Sequence, residues 1–188
     1  YFDTLRRLLD KMIKTCLIAV STLLVASNVY PRQIQVPLEF PLIQTAIDSS
    51  VSGDTIMLAD GIYFERIDLK SKAIVLASEF LLDSDTNHIA NTIIDGDTSI
   101  TPLRDTSSVI LISDIFSDTA VISGITIQKG KGSRFEVFST IYNVGGGILC
   151  IRASVIINHC VFRNNSSGNL GGGLFVFSGL FRISNCLF

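Results

Sequence analysis

The sequence has no tryptophan, and it has only two methionines, two histidines, four cysteines and four prolines among 188 residues. The histidines, His88 and His159, are too few for a histidine-rich metal centre, and no Ser or Cys pairs with either in a recognisable nucleophile pattern. No C-x-x-C and no Cys/His pair stands at zinc spacing, and the cysteines form no dense framework. Charged residues make up 17% of the chain and hold no basic tract, which argues against nucleic acid as a partner. No apolar run reaches the roughly 20 residues that a membrane-spanning helix requires. Disorder is excluded from the other side: 47% of the residues are hydrophobic, and the mean hydropathy is +0.47.

What remains is rich in Ile, Val, Gly, Asn, Ser and Thr. That composition suits many short buried strands joined by tight turns. At 188 residues the chain is long enough for one sizeable core. The formal net charge is −2; without residues 1–27 there are 11 basic and 15 acidic side chains, about −4.

The start of the chain reads as an address. Lys14 precedes an apolar run from Cys16 to Ala26, closed by the small residues Ala26 and Ser27. That layout predicts a secretory signal peptide over residues 12–27, with Met12 as its start. The alternative is an N-terminal anchor or a buried helix. Tyr1 at the first position and Phe188 inside an apolar alternation are read as the ends of a fragment, truncated at its C-terminus.

After Pro31, Pro37 and Pro41, the residues Ile43, Ala46, Ile47 and Val51 share one face of a short helix. Thr55–Ala59 and Ala73–Ala77 read as buried strands, with Asp60-Gly61 as a turn. In order along the chain come Ile43-Gln44-x-Ala46-Ile47-Asp48, Gly53-Asp54-Thr55-Ile56, Gly61-x-Tyr63-x-Glu65, Lys72-x-Ile74-x-Leu76 and Thr92-Ile93-Ile94-Asp95-Gly96. This series resembles the opening of pectin-lyase-like β-helix proteins. The resemblance implies a right-handed parallel β-helix whose N-terminal end is plugged by a short helix, which would cover an open strand edge and core.

Internal repeats point the same way. Gly145-Gly146-Gly147-Ile148 recurs as Gly171-Gly172-Gly173-Leu174, and Ile157-Asn158-His159-Cys160-Val161-Phe162 recurs as Ile183-Ser184-Asn185-Cys186-Leu187-Phe188, both 26 residues later. Six of the 18 positions are identical, without a gap. Such a period fits one turn of a solenoid whose neighbours stack about 4.8 Å apart. Cys160 would then lie over Cys186 and Phe162 over Phe188. Ile122-Ser123-Gly124-Ile125 looks like an earlier copy, 35 residues before Ile157, so an insertion is expected within 129–144. The Gly triplets predict positive φ or a backbone too close for a Cβ. Phe162-x-x-Asn165 followed by Gly171-Gly172-Gly173-Leu174 resembles the repeat of polymorphic outer membrane proteins, with Gly in place of the usual Ala. That resemblance implies an exported, adhesive β-helix.

Chemistry is harder to assign. Cys160 and Cys186 stand within disulfide range, but stacked buried thiols acting as small hydrophobes are the expectation, because no dense Cys framework appears. Asp83-Ser84-Asp85-Thr86-Asn87-His88 begins like a calcium loop but has His88 and Ile94 where Gly and Glu belong, so a solvated loop is expected. Asp95-Gly96-Asp97 reads as a turn, and His159, matched by Asn185, as a ladder position. Pectin methylesterases, which share the opening motifs, carry a Gln-Asp pair; Gln128 here is followed by Lys129. Lyases of this fold use Asp-bound calcium with Lys or Arg, a role open to Lys129, Lys131, Arg134, Arg152 and Arg163, though spacing selects none of them.

The expected organisation is residues 1–27 as upstream residues and signal peptide, 28–41 as a linker, and 42–188 as an all-β parallel β-helix, a solenoid with an N-terminal capping helix. The expected function is a secreted or cell-surface protein that binds glycans, adhesin-like, with no catalytic residue assigned. The alternatives are a polysaccharide lyase, esterase or depolymerase with its site on later coils, or a structural stalk. No cofactor is expected, calcium being the one ion left open. A polysaccharide or cell-surface glycan is the expected partner, and membrane contact would come only through export or a C-terminal anchor.

Overall fold

The computed structural model describes Arg6, Arg7, Lys11, Met12 and residues 30–97 and 107–188. The signal-peptide reading at 12–27 falls outside them, Met12 apart. Residues Pro31–Phe188 form one compact unit, separate from Tyr1–Tyr30. Among the described residues, no helix is long and apolar enough to cross a membrane.

The fold is mostly β. Its elements in chain order are β1 (Gln33–Val36), α1 (Ile43–Ser49), β2 (Thr55–Leu58), β3 (Gly61–Tyr63), β4 (Ile67–Asp68), β5 (Val75–Ser78), α2 (Phe80–Asp83), α3 (Asn87–Asn91), β6 (Thr92–Asp95), β7 (Ile110–Ser123), β8 (Thr126–Gln128), β9 (Ser133–Val137), β10 (Thr140–Val144), β11 (Ile148–Asn158), β12 (Val161–Arg163), β13 (Leu174–Phe177) and β14 (Phe181–Ser184). One parallel sheet runs β1-β2-β5-β7-β11-β13, with β4 also on β7 and β14 on β11; a second runs β3-β6-β8-β12. β9 and β10 form an antiparallel hairpin.

Pairing brings sequence-distant aliphatics into columns. Ile34, Ile56, Leu76, Ile122, Ile157 and Ile183 stand opposite one another through six successive strands. The first five are fully buried, whereas Ile183 on the last strand is exposed. Each fully buried aliphatic side chain contributes about 1.5–3 kcal/mol. A slip of one residue would turn the whole column to solvent, so this column fixes register.

The offset of 26 residues read from the repeats is the pairing register of the last strands: Ile148 faces Leu174 and Val155 faces Phe181. Ile157 faces Ile122, 35 residues away. The hairpin Ser133–Val144 lies in the stretch where the extra residues were expected. Phe162 and Phe188 stack with ring centroids 4.5 Å apart and planes 2° from parallel.

The corners of the chain path also align. Asp114, Arg152 and Ser178 have positive φ at matched positions, as do Gly124, His159 and Asn185, and Lys129 and Asn164. Gly145 and Gly171 adopt φ of +62° and +65°. Gly146 needs its missing side chain for a different reason: a Cβ there would overlap the carbonyl oxygens of Gly172 and Ser166.

α1 buries Ile43, Ala46 and Ile47. Its N-terminus lacks a side-chain cap of its own. Instead the Glu65 carboxylate accepts hydrogen bonds from the Ile43 and Gln44 amides at 2.8 and 3.0 Å. At the other end, Lys72 Nζ donates to the carbonyls of Ile47 and Asp48 at 2.6 and 3.0 Å. Acid at the N-terminus and base at the C-terminus both suit the helix dipole. Gln44 exchanges two hydrogen bonds with the Asp68 backbone. The opening motif residues therefore fasten this helix to the strands beside it.

Two expectations need correction. Residues 33–36 were placed in a linker, yet they form β1, parallel to β2. Ile34 and Val36 alternate with two glutamines, a two-residue period too short to stand out between Pro31 and Pro37. Residues 83–88 were expected to be a loop. Residues 84–86 are an exposed loop, with Ser84 in the left-handed region, but Asp83 ends α2 and Asn87-His88 begin α3.

Candidate functional site

The last residues of three neighbouring strands stand in one row: Asp95 on β6, Gln128 on β8 and Arg163 on β12. Asp95 is 2% exposed, and Gln128 is buried. A buried carboxylate needs partners, and Asp95 has three. Gln128 Nε2 donates to Asp95 Oδ2 at 2.5 Å, Lys129 Nζ lies 2.9 Å from the same oxygen, and the Asp97 amide donates to Oδ1 at 2.9 Å. Arg163 Nε then donates to Gln128 Oε1 at 2.6 Å. Gln128 thus joins an acid on one side to a base on the other.

Positive φ at Lys129 and Asn164 turns the chain outward directly after this row. There Asp97, Lys129, Gly130, Lys131, Asn164 and Ser166 line a shallow depression of about 250 Å³. Asn165 holds its floor: its amide donates to Ile127 O at 2.9 Å, and its oxygen accepts from the Gly130 amide at 2.9 Å. That is the work of the F-x-x-N asparagine here. Arg66 reaches the same edge, donating to Gly96 O from Nε and Nη2 at 3.2 and 3.0 Å.

The charges have defined states. The hydrogen bond from Lys129 to Asp95 raises the lysine pKa, with Asp97 adding to it, so Lys129 is held as a cation. Burial lowers the Arg66 pKa and Asp97 opposes it. Four basic side chains, Arg66, Lys129, Lys131 and Arg163, lie along this edge with two acidic ones, Asp95 and Asp97, and Lys129 pairs with both acids.

A second polar cluster surrounds His88. Its Nδ1 lies 2.7 Å from Asp60 Oδ1 and 3.8 Å from Glu79 Oε2, and its Nε2 lies 3.3 Å from Asp83 Oδ2. Asn91 and Thr92 also donate to Asp60. The bond to Asp60 raises the His88 pKa, and His88 lowers that of Asp60. Asp60, Glu79 and His88 present ligand-type atoms within 4.8 Å of one another. Both imidazole nitrogens already face carboxylates, an arrangement that clamps the α2–α3 segment to the Asp60 turn.

Of the five cations named from sequence, Lys129, Lys131 and Arg163 come together. Arg134 is on the β9–β10 hairpin, and Arg152 is occupied by Asp114 at 2.9 and 2.6 Å. His159 lies in its ladder, with Nε2 3.1 Å from Asn185 Nδ2 and its ring 4.8 Å from that of Phe80. Cys150, Cys160 and Cys186 are free thiols. Asp95 and Gln128 were not foreseen as partners; only the strand register, at offsets of 33 and 35 residues, brings them together.

No family model matches the chain, and neither do any curated proteins or solved structures.

Proposed function

We propose that the chain is part of a right-handed parallel β-helix of the pectin-lyase-like kind, plugged by α1, which binds an acidic glycan along the edge of the β6-β8-β12 sheet. The observation that carries this is the row Asp95–Gln128–Arg163 with Lys129 and Lys131 beside it. Lys129 and Lys131, from the loop after β8, line a shallow depression beside Asp97, and Arg163 stands on the adjacent strand, so that cations from two neighbouring strands suit an extended saccharide with repeated carboxylates. Stacked columns, aligned corners and a 26-residue register support the β-helix reading. The signal-like segment and the adhesin-like repeat support a secreted or cell-surface setting.

Binding is favoured over proton transfer at this face. A lysine that removes a proton needs a lowered pKa, and contact with Asp95 moves Lys129 the other way. Gln128 orients Arg163, and the cations offer charge-assisted hydrogen bonds to uronate carboxylates.

Oligogalacturonate and a neutral xylo-oligosaccharide of equal length, titrated calorimetrically at low salt, test the proposal. The acidic ligand should bind and weaken as salt rises, and the double substitution Lys131→Ala with Arg163→Ala should weaken it by about tenfold or more. Equal binding of the neutral ligand, or no loss in the double variant, would refute the assignment of this face.

A further inference from the structure

Two thiols that glycan binding leaves unused stand on consecutive rungs. Val161 bridges Leu187 in parallel, the Leu187 amide donates to Cys160 O at 2.9 Å, and the Phe162 amide donates to Leu187 O at 2.7 Å. Cys160 and Cys186 are therefore direct neighbours across the rungs. Such neighbours are about 4.8 Å apart, within the roughly 4.4–6.8 Å Cα separation that a disulfide spans. The two differ in access: Cys160 is 1% exposed, whereas Cys186 is only half-buried.

We propose that Cys160 and Cys186 form a dithiol site for thiol–disulfide exchange, in which Cys186 is the attacking sulfur and Cys160 the resolving one. The co-reactant is a low-molecular-weight disulfide. The Cys186 thiolate attacks one sulfur of that disulfide, whose S–S bond breaks and releases a thiolate. Cys160 then gives up its proton, and its sulfur attacks Cys186 Sγ, which expels the second small thiol. The two cysteines lose two electrons and two protons to the reagent, and a cross-rung disulfide remains.

The environment divides the labour. Interaction with the Cys160 thiol lowers the Cys186 pKa, against a smaller opposing effect of burial. Interaction with the Cys186 thiol and burial push Cys160 up. The Cys186 thiol donates to the carbonyl oxygens of Ser184 and Ile157 at 3.2 and 3.7 Å, and the Cys160 thiol to those of Asn158 and Ile122 at 3.3 and 3.7 Å. Cys150 is a built-in control. Burial pushes it up to about 11, and its rung neighbours are Ile112 and Val176, with no sulfur to resolve an adduct.

The test uses the full chain with Cys16→Ser, treated with oxidised glutathione at pH 7. The expected product is two hydrogens lighter than the starting protein, yields a Cys160–Cys186 linked peptide and leaves Cys150 free to be alkylated after unfolding. With Cys160→Ser added, which keeps a hydroxyl donor, a glutathione adduct should persist on Cys186. With Cys160→Ala, alkylation of Cys186 by iodoacetamide at pH 7 should slow by about tenfold. A persistent Cys186 adduct without the linked peptide in the starting protein would overturn the proposal. So would equal labelling of Cys150, or folded protein inert to glutathione whose thiols all react once unfolded.

Discussion

The first strands and the last are held in register by opposite means. Around α1, polar side chains reach across to backbone groups. Glu65 and Lys72 hold the two ends of the helix, and Asp54, 1% exposed, accepts from the Arg32 and Val51 amides, each at 2.9 Å. Around β11 and β13 the contacts come from missing side chains: Gly146 and Gly147 donate to the carbonyls of Gly171 and Gly172, each at 3.0 Å. The first arrangement tolerates strands separated by 22 and 20 residues, as between β1 and β2 and between β2 and β5. The second keeps 26 at each pairing of β11 with β13 and β14. Side-chain ties accompany the uneven spacings of the first strands, and glycine-to-glycine backbone contact accompanies the constant spacing of the last.

The largest effect should come from disturbing backbone contact. Gly146→Ala is expected to cost about 3 kcal/mol through overpacking against Gly172 and Ser166. Urea unfolding measures it, with Gly168→Ala as the nearly neutral control, because a Cβ there meets only the Asn143 side chain. An equal cost for both would erase the distinction between the two regions.

A smaller loss is expected at the other end. Glu65→Ala leaves the Ile43 and Gln44 amides without their acceptor and should cost about 1–2 kcal/mol, like the loss of a helix N-cap. If faster hydrogen exchange spreads into β13 and β14 rather than staying in α1 and its neighbours, the early ties are not local.

The smallest effect is a pH dependence of thermal stability from the His88–Asp60 clamp. His88 has a raised pKa in the fold, so its contribution is complete below its ordinary value of 6.5 and fades as pH rises through the folded value. Asp60 has a lowered pKa, so its contribution is complete above 3.8 and fades as pH falls through its folded value. The pair should stabilise most between those limits, and Asp60→Asn should lower the melting temperature there and flatten its fall on either side. An unchanged profile would mean that the α2–α3 segment is held by other contacts.

Much of the late region was legible because the Gly triplets, Cys160 and Phe162 recur at one spacing, and a fixed spacing becomes register once strands stack. β1 was missed because four residues between prolines carry too short an alternation. The Asp95–Gln128–Arg163 row was missed for a different reason. Its members are 33 and 35 residues apart, and unequal spacings hide which positions share a row. The individual charges were visible in the sequence, but their alignment required the strand pairings.

The β9–β10 hairpin adds chain between β8 and β11, yet Ile157 still faces Ile122 and Val161 still faces Thr126. Growth at such a corner costs the neighbouring strands nothing. New recognition loops can therefore be grafted at the exposed turn Phe138-Ser139, while Phe135, packed on Phe175 and Phe177, and Asn143, bonded to Asn169, keep the base of the hairpin in place.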